Sequence, residues 1–293
     1  MFKKRYFFIL FIFSSFFLIQ DADALVISPA RFNVTIEPGA SQNLIIKIKN
    51  DEAQKVDLNL KVLGAKQDEY GRPLFFSGIE KAEEWVKPKT NKITVGASQE
   101  KNAEFLIEIP KQIIPGSHYL GLAVEQIQTE NSNQVGLSGR LVALLTLRIT
   151  GNITEDANFV KWTGRNFTWN KEWPFVLELK NQGNIEVALT GETAIKNWRG
   201  KEIFRQPVFL GNSLLAGAIR FNSGKVKIGD KIKWPGLYQT EMRIIYGQSE
   251  KRISKVFYIW YFPKWSAAAF FVTMFIILRR MIREIRRKRK FGN

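Results

Sequence analysis

The chain has 293 residues, enough for about two domains. It carries 44 Lys and Arg against 27 Asp and Glu, a net +17, and it has no cysteine, which excludes disulfides, thiol catalysis, Cys-based zinc sites and iron–sulfur clusters. One histidine, His118, leaves no multi-His metal site, and 45% apolar residues can supply a core without covalent staples.

Residues 1–24 read as a secretory signal peptide. Lys3-Lys4-Arg5 form a charged start, Tyr6 to Ile19 an apolar run of 14 residues, and Ala22-Asp23-Ala24 a small-residue cleavage site. The run is short of the roughly 20 residues that cross a hydrocarbon core.

From residue 25 to about 257 the pattern is short alternating runs bounded by Gly, Pro, Asn and Asp, which predicts an all-β fold of two tandem immunoglobulin-like sandwiches. In residues 25–151, Val56, Leu58, Leu60 and Val62 alternate with polar residues. Leu44–Lys49 stops at Asn50-Asp51, Ala103–Ile109 at Pro110, and Pro115-Gly116 precedes Tyr119–Ile127. About seven strands in about 125 residues fit one sandwich. Leu141–Leu147 is apolar at alternate and intervening positions, as in a central strand covered on both faces.

Residues 152–257 repeat the plan. Lys180-Asn181-Gln-Gly-Asn184 echoes Lys49-Asn50, and Pro235-Gly236 echoes Pro115-Gly116. Five tryptophans fall here: Trp162, Trp169, Trp173, Trp198 and Trp234. One small core does not need five, so one or two are expected to be exposed, with Trp169 and Trp198 as candidate contacts for a sugar ring or a protein partner.

Val256 to Leu278 is almost wholly apolar, and a transmembrane helix is expected over 258–278. Tyr258, Trp260, Tyr261, Phe262 and Trp265 would form its outer aromatic belt. Residues 279–293 carry Arg279, Arg280, Arg283, Arg286, Arg287, Lys288, Arg289 and Lys290 against Glu284, which marks a basic cytoplasmic tail able to touch anionic lipid headgroups. The expected topology is a single-pass membrane protein with both sandwiches outside the cytoplasm. Charge gathered beside apolar runs argues against nucleic-acid binding.

No constellation points to an enzyme or a cofactor. Ser117 and His118 are neighbours on a predicted strand and so face opposite ways. Asp68-Glu-Tyr-Gly71 lacks the ligand spacing of a calcium loop, and there is no glycine-rich phosphate loop.

Several phrases resemble a known family. Ser28-Pro-Ala-Arg31, Glu37-Pro-Gly39, Lys49-Asn-Asp51, Asp68-Glu-Tyr-Gly71, Trp85-Val86, Glu108-Ile-Pro110 and Pro115-Gly-Ser-His-Tyr119 are similar to the first domain of WxL-interacting bacterial surface proteins. Lys180-Asn-Gln-Gly-Asn184 and Pro235-Gly-Leu-Tyr238 are similar to that family's membrane-proximal domain. The resemblance implies a wall-facing protein whose first domain binds cell-wall glycan (peptidoglycan) and whose second binds another surface protein. An alternative resemblance is to pilus-assembly chaperones, through Leu141–Leu147 and the Ser28–Arg31 start. It implies β-strand addition to client subunits, with Arg31 and Arg148 gripping a client's terminal carboxylate.

Overall fold

The computed structural model describes residues 24–127, 139–211, 213–228 and 231–290, with side chains through residue 287. The expected signal peptide lies outside the described residues.

The strands are, in chain order, β1 (Leu25–Ser28), β2 (Arg31–Ile36), β3 (Ser41–Asn50), β4 (Val56–Gln67), β5 (Pro73–Phe76), β6 (Val86–Pro88), β7 (Lys92–Val95), β8 (Glu100–Glu108), β9 (Gly116–Gln126) and β10 (Arg140–Ile149). They build a four-stranded sheet ordered β1-β3-β8-β6 and a larger one ordered β2-β10-β9-β4-β5, with β7 on β4. The chain crosses between the two sheets at the Ser28–Pro29 peptide, which is cis. β3 shows how the sequence dictates the layer: Leu44, Ile46 and Ile48 are buried while Ile45, Lys47 and Lys49 point out, the period of two that a half-covered sheet requires. Ile46, Ile48, Leu58, Phe105, Ile107, Leu120, Leu122, Leu145 and Leu147 form the fully buried centre. Each contributes roughly 1.5–3 kcal/mol by leaving water.

The second set is β11 (Ala157–Gly164), β12 (Phe167–Thr168), β13 (Glu172–Asn181), β14 (Leu189–Lys196), β15 (Glu202–Val208), β16 (Ile219–Lys227), β17 (Gly236–Tyr246) and β18 (Lys251–Tyr261). Its sheets are ordered β11-β13-β16 and β12-β18-β17-β14-β15. Trp173, Leu177, Leu179, Ile195, Met242, Ile244, Ile259 and Tyr261 fill the space between them. The protein is thus all-β, with two immunoglobulin-like sandwiches followed by one helix, α1 (Lys264–Lys290). Two compact units divide at Leu147/Arg148, and the second also takes in Ala65–Phe75 and Ile114–Ser117.

The repeated phrases have a shared physical cause. Asn50 and Asn181 close equivalent strands, and both are fully buried. Asn50 Nδ2 donates to the Gln54 and Gly96 carbonyls (2.8 and 3.0 Å), while its Oδ1 accepts from the Glu52 amide (3.0 Å). Asn181 repeats the wiring: Nδ2 to the Ile185 and Leu214 carbonyls (2.8 and 2.9 Å), Oδ1 from the Gly183 amide (2.9 Å). A carboxamide is the one small side chain that can donate twice and accept at such a corner. Gly116 and Gly236, which open β9 and β17, have φ +147° and +156°, values that side chains disfavour.

The helix expected over 258–278 starts later. Tyr258, Trp260 and Phe262 are exposed while Ile259, Tyr261 and Pro263 are buried, and β18 pairs with β17 from Lys251↔Tyr246 to Tyr261↔Gly236. An apolar run with period two and an open partner strand becomes a strand, and the proline ends it because it has no N–H to donate. α1 therefore spans Lys264–Lys290, and the expected separate tail, Arg279 onward, continues it as helix. Lys264–Arg287 is long and apolar enough to cross a membrane and is not buried in protein.

The outer face of the five-stranded sheet carries a charge network with a testable pH signature. Glu241 accepts from Arg243 Nε and Nη2 (2.9 and 2.8 Å) and pairs with Lys196 Nζ (2.8 Å). Arg243 first, then Lys196, holds its pKa at about 2, below the ordinary 4.5. A depressed folded pKa stabilises above the unfolded value and ceases to do so as protons are taken up. The full chain in detergent micelles should therefore lose on the order of 1–3 kcal/mol between pH 4.5 and about 2. Glu241→Gln should flatten that part of the melting-temperature profile; an unchanged slope would remove Glu241 from the account.

Candidate functional site

In an antiparallel ladder every second residue turns its N–H and C=O away from its partner strand. On β16 this parity is readable. The Phe221 amide donates outward to the Glu69 carbonyl (2.7 Å) and the Lys227 amide outward to Gln206 Oε1 (3.1 Å). Ser223 and Lys225 share that parity. Pro174, with no N–H, sits opposite Lys225, where β13 has no bond to give. Among the described residues neither Ser223 nor Lys225 has an outward backbone partner, so β16 is an edge occupied at both ends and open in the middle.

That edge faces another. β15 pairs only with β14, and Pro207 lies on its free side. Between the edges runs a groove of about 770 Å³ whose apolar lining includes Tyr70, Val176, Phe209 and Phe221. Phe209 is 88% exposed, an unusual place for a phenylalanine without a partner. Arg220, inward on β16 and 2% exposed, donates to the Leu210 and Ser213 carbonyls (2.9 and 2.8 Å) and so ties the Phe209 loop to the edge. Burial lowers its pKa, with Asp68 opposing. Asp68 itself accepts from the Tyr70 and Arg72 amides (2.9 and 2.8 Å) and from Arg72 Nε (2.7 Å), so its oxygens serve the turn that presents Tyr70. Gly71 at φ +88° completes that turn.

The residues expected from sequence do not converge on this groove. Trp169 and Trp198 are 58% and 72% exposed. Trp169 meets Phe167 edge-on at 5.3 Å, and the Arg199 guanidinium lies 4.5 Å over the Trp198 ring. Trp234 is also exposed, so three of the five tryptophans expected in the second domain face solvent rather than one or two; Trp162 and Trp173 are buried. Arg31 is exposed at the start of β2. Arg148 is half-buried and ion-paired with Glu186, which also accepts from Ser117 Oγ (2.6 Å). The carboxylate on Arg148 is therefore the chain's own. His118 meets the Trp85 ring edge-on at 4.8 Å, and burial lowers its pKa. On β10 burial sets in at Ala143 and covers Leu145, Thr146 and Leu147, as for an interior strand, while Leu141 and Val142 remain half-buried. Among the described residues no three His, Cys, Asp or Glu side chains cluster to hold a metal. The groove escapes a reading of the sequence because an edge is a property of strand order, and Phe209 lies in an ordinary apolar run, Val208-Phe209-Leu210.

No family model and no curated protein matches the sequence. Among solved structures, the class 5 fimbriae chaperone CfaA matches at 8% identity and TM-score 0.48 over 80% of this chain and 98% of its own. A chain of the CsuC–CsuE chaperone–tip adhesion subunit pre-assembly complex from Acinetobacter baumannii Csu pili gives 13% and 0.39 over 82% and 99%, and the E. coli chaperone DraB 13% and 0.39 over 80% and 97%. At these identities the likeness is one of fold.

Proposed function

We propose that this chain is a membrane-anchored surface protein that binds another envelope protein by accepting an extended segment of it along β16. The observation that carries the reading is the open middle of that edge, where the outward backbone groups of Ser223 and Lys225 border a groove containing the exposed Phe209. Backbone groups repeating along an edge recognise a strand of almost any sequence, and an apolar pocket beside them selects its side chains. The apolar α1 supports the anchor, and the eight bases from Arg279 to Lys290 support a cytoplasmic C-terminus with the sandwiches outside. This is the partner-binding half of what the WxL-interacting resemblance implies.

The test replaces Phe209, in the full chain in its own cells, with a photo-crosslinking phenylalanine. A protein adduct is expected at 209 and none at Asn158, an exposed residue of β11. Ser223→Pro removes one outward N–H without touching the β13–β16 ladder. It should reduce capture about tenfold, one lost hydrogen bond plus a steric block, and leave the melting temperature nearly unchanged. No protein adduct, or adducts only with wall glycan, would overturn the reading.

A second reading, an assembly chaperone acting by strand addition, is favoured by β10, which has 10 residues against six in its neighbour β2. The Leu141–Val142 end would then be the donated strand, and crosslinks from Val142 should trap newly made subunits that later disappear from the complex.

A further inference from the structure

Strand register decides which loops of the second domain share an end. Gly236 pairs with Tyr261 and Lys196 with Gln239, so the turn after β14 and the start of β17 lie where β18 runs out toward α1. β12 is parallel to β18 with Thr168 opposite Tyr261, which places Trp169 just past the same end. β13 begins there too: Trp173 packs on Tyr261, and the opposite of Glu172 is Lys227, the last residue of β16.

Four segments therefore gather beside the helix: 169–171, 197–201, 231–235 and 262–265. Each holds one tryptophan: Trp169, Trp198, Trp234 and Trp265. Together they hold six bases (Lys171, Arg199, Lys201, Lys231, Lys233, Lys264) and no acid; of the acids that adjoin them in sequence, Glu172, Glu202 and Asp230, the first two are paired with Lys225 and Arg205. Loops 182–188 and 247–250, at the far end of the same strands, hold two acids, Glu186 and Glu250, with no base and no tryptophan. A solvated loop set has no reason to sort tryptophan and positive charge to one end.

The sorted end is continuous with the apolar helix. Trp265 stands edge-on to Trp234 at 5.8 Å, and its Nε1 donates to the Lys233 carbonyl (3.3 Å). Phe262 stacks on Phe167 at 5.5 Å, and an apolar groove opens between these rings and Phe270 and Phe271 of α1. Length adds an independent argument. The uninterrupted apolar stretch of α1, Trp265–Leu278, is 14 residues, about 21 Å of helix against a hydrocarbon core of about 30 Å. On the inner side Met281, Ile282 and Ile285 extend one face past Arg279 and Arg280. On the outer side only the aromatic rim of the domain is available to close the gap.

We propose that the helix-side end of the second domain is a lipid-docking face, with Trp169, Trp198 and Trp234 at headgroup level and the surrounding bases on anionic phosphates. Tryptophan suits that depth because its ring is apolar and its N–H remains wet. The Lys and Arg stems reach along the same surface with their charges outward. The proposal rests on α1 crossing the bilayer, and it holds the domain upright on the membrane.

The absence of cysteine allows a direct test. Lys201→Cys, Gln248→Cys and Phe271→Cys, each in the full chain, are labelled with an environment-sensitive fluorophore and reconstituted into vesicles of phosphatidylcholine and phosphatidylglycerol, with and without a lipid spin-labelled near its headgroup. The probe at 201 should be blue-shifted and quenched, the probe at 271 quenched, and the probe at 248 neither. Trp169→Ala, Trp198→Ala and Trp234→Ala together should bring the probe at 201 to the level of 248 and leave 271 quenched. Omitting phosphatidylglycerol should weaken quenching at 201 alone. If 271 is quenched while 201 behaves like 248, or if the triple variant keeps full quenching at 201, the docking face is wrong and the span stands. An unquenched probe at 271 removes the span and the docking face with it.

Discussion

Asn181→Asp should destabilise the second domain by about 3–5 kcal/mol, the penalty for a buried charge without a partner. The substitution is nearly isosteric, so packing is not the cause. Nδ2 donates to the Ile185 and Leu214 carbonyls, and an aspartate would turn a carboxylate oxygen toward both. Only the bond accepted from the Gly183 amide survives. Asn181→Ala, which leaves three backbone groups without their partner but introduces no charge, should cost less, about 2–3 kcal/mol. The measurement is thermal unfolding of the full chain in detergent micelles, followed by tryptophan emission. Asn158→Asp is the control: its amide also donates to Gln182 Oε1 (2.8 Å) and Asp156 Oδ1 (3.3 Å), but at an exposed strand position where water screens the reversal, so it should cost no more than about 1 kcal/mol. The pH dependence separates the mechanisms. Burial beside two carbonyls would raise the pKa of the introduced carboxyl in the fold, so the cost should ease as the solution is acidified, opposite in sign to Glu241. Equal melting temperatures for Asn181→Asp and Asn158→Asp would show that the corner does not depend on this carboxamide.

Trp173→Ala should have the largest effect of any single truncation in the second domain, about 3–5 kcal/mol, through lost burial and the cavity left behind. Trp173 is fully buried, its ring 5.8 Å from both Tyr238 and Tyr261, and its Nε1 donates to the Asn170 carbonyl (3.2 Å). Trp173→Phe retains most of the apolar area and gives up that hydrogen bond, so it should cost clearly less. The consequence is local as well as global: Tyr238 Oη donates to the Trp234 carbonyl (2.8 Å), so a collapsed site at 173 also releases the loop that meets α1. Proteolysis of Trp173→Ala should cut between 231 and 235 before it cuts elsewhere. Uniform digestion would contradict that coupling.

Both sandwiches are legible in the sequence because a half-covered strand writes its burial in period two, as in Leu44–Lys49 and Val56–Lys61; the expected continuation to Val62 fails, since Val62 is half-buried and Leu63 takes its place in the core. The end of β18 is not. Val256–Tyr261 is apolar at every position, a composition that suits a membrane helix and a sheet strand alike, and the tie is broken by pairing with β17, which periodicity does not encode. Asn50 and Asn181 can be read as turn residues, but a buried polar hub needs its partners at Gly96 and Leu214 to be recognised, and those are distant in sequence. The number of tryptophans alone implies that some are exposed, but not which: Trp169, Trp198 and Trp234 all are. Their grouping at one end comes only from strand register.

The last strand runs without a break of more than two residues into the helix, and its 11 rungs to β17 lie across the direction of the chain. Were α1 held in a membrane, tension along that axis would load these bonds in parallel, as shear, rather than opening them one after another like a zip. A domain attached in this way would resist extraction by the collective rupture of a whole ladder.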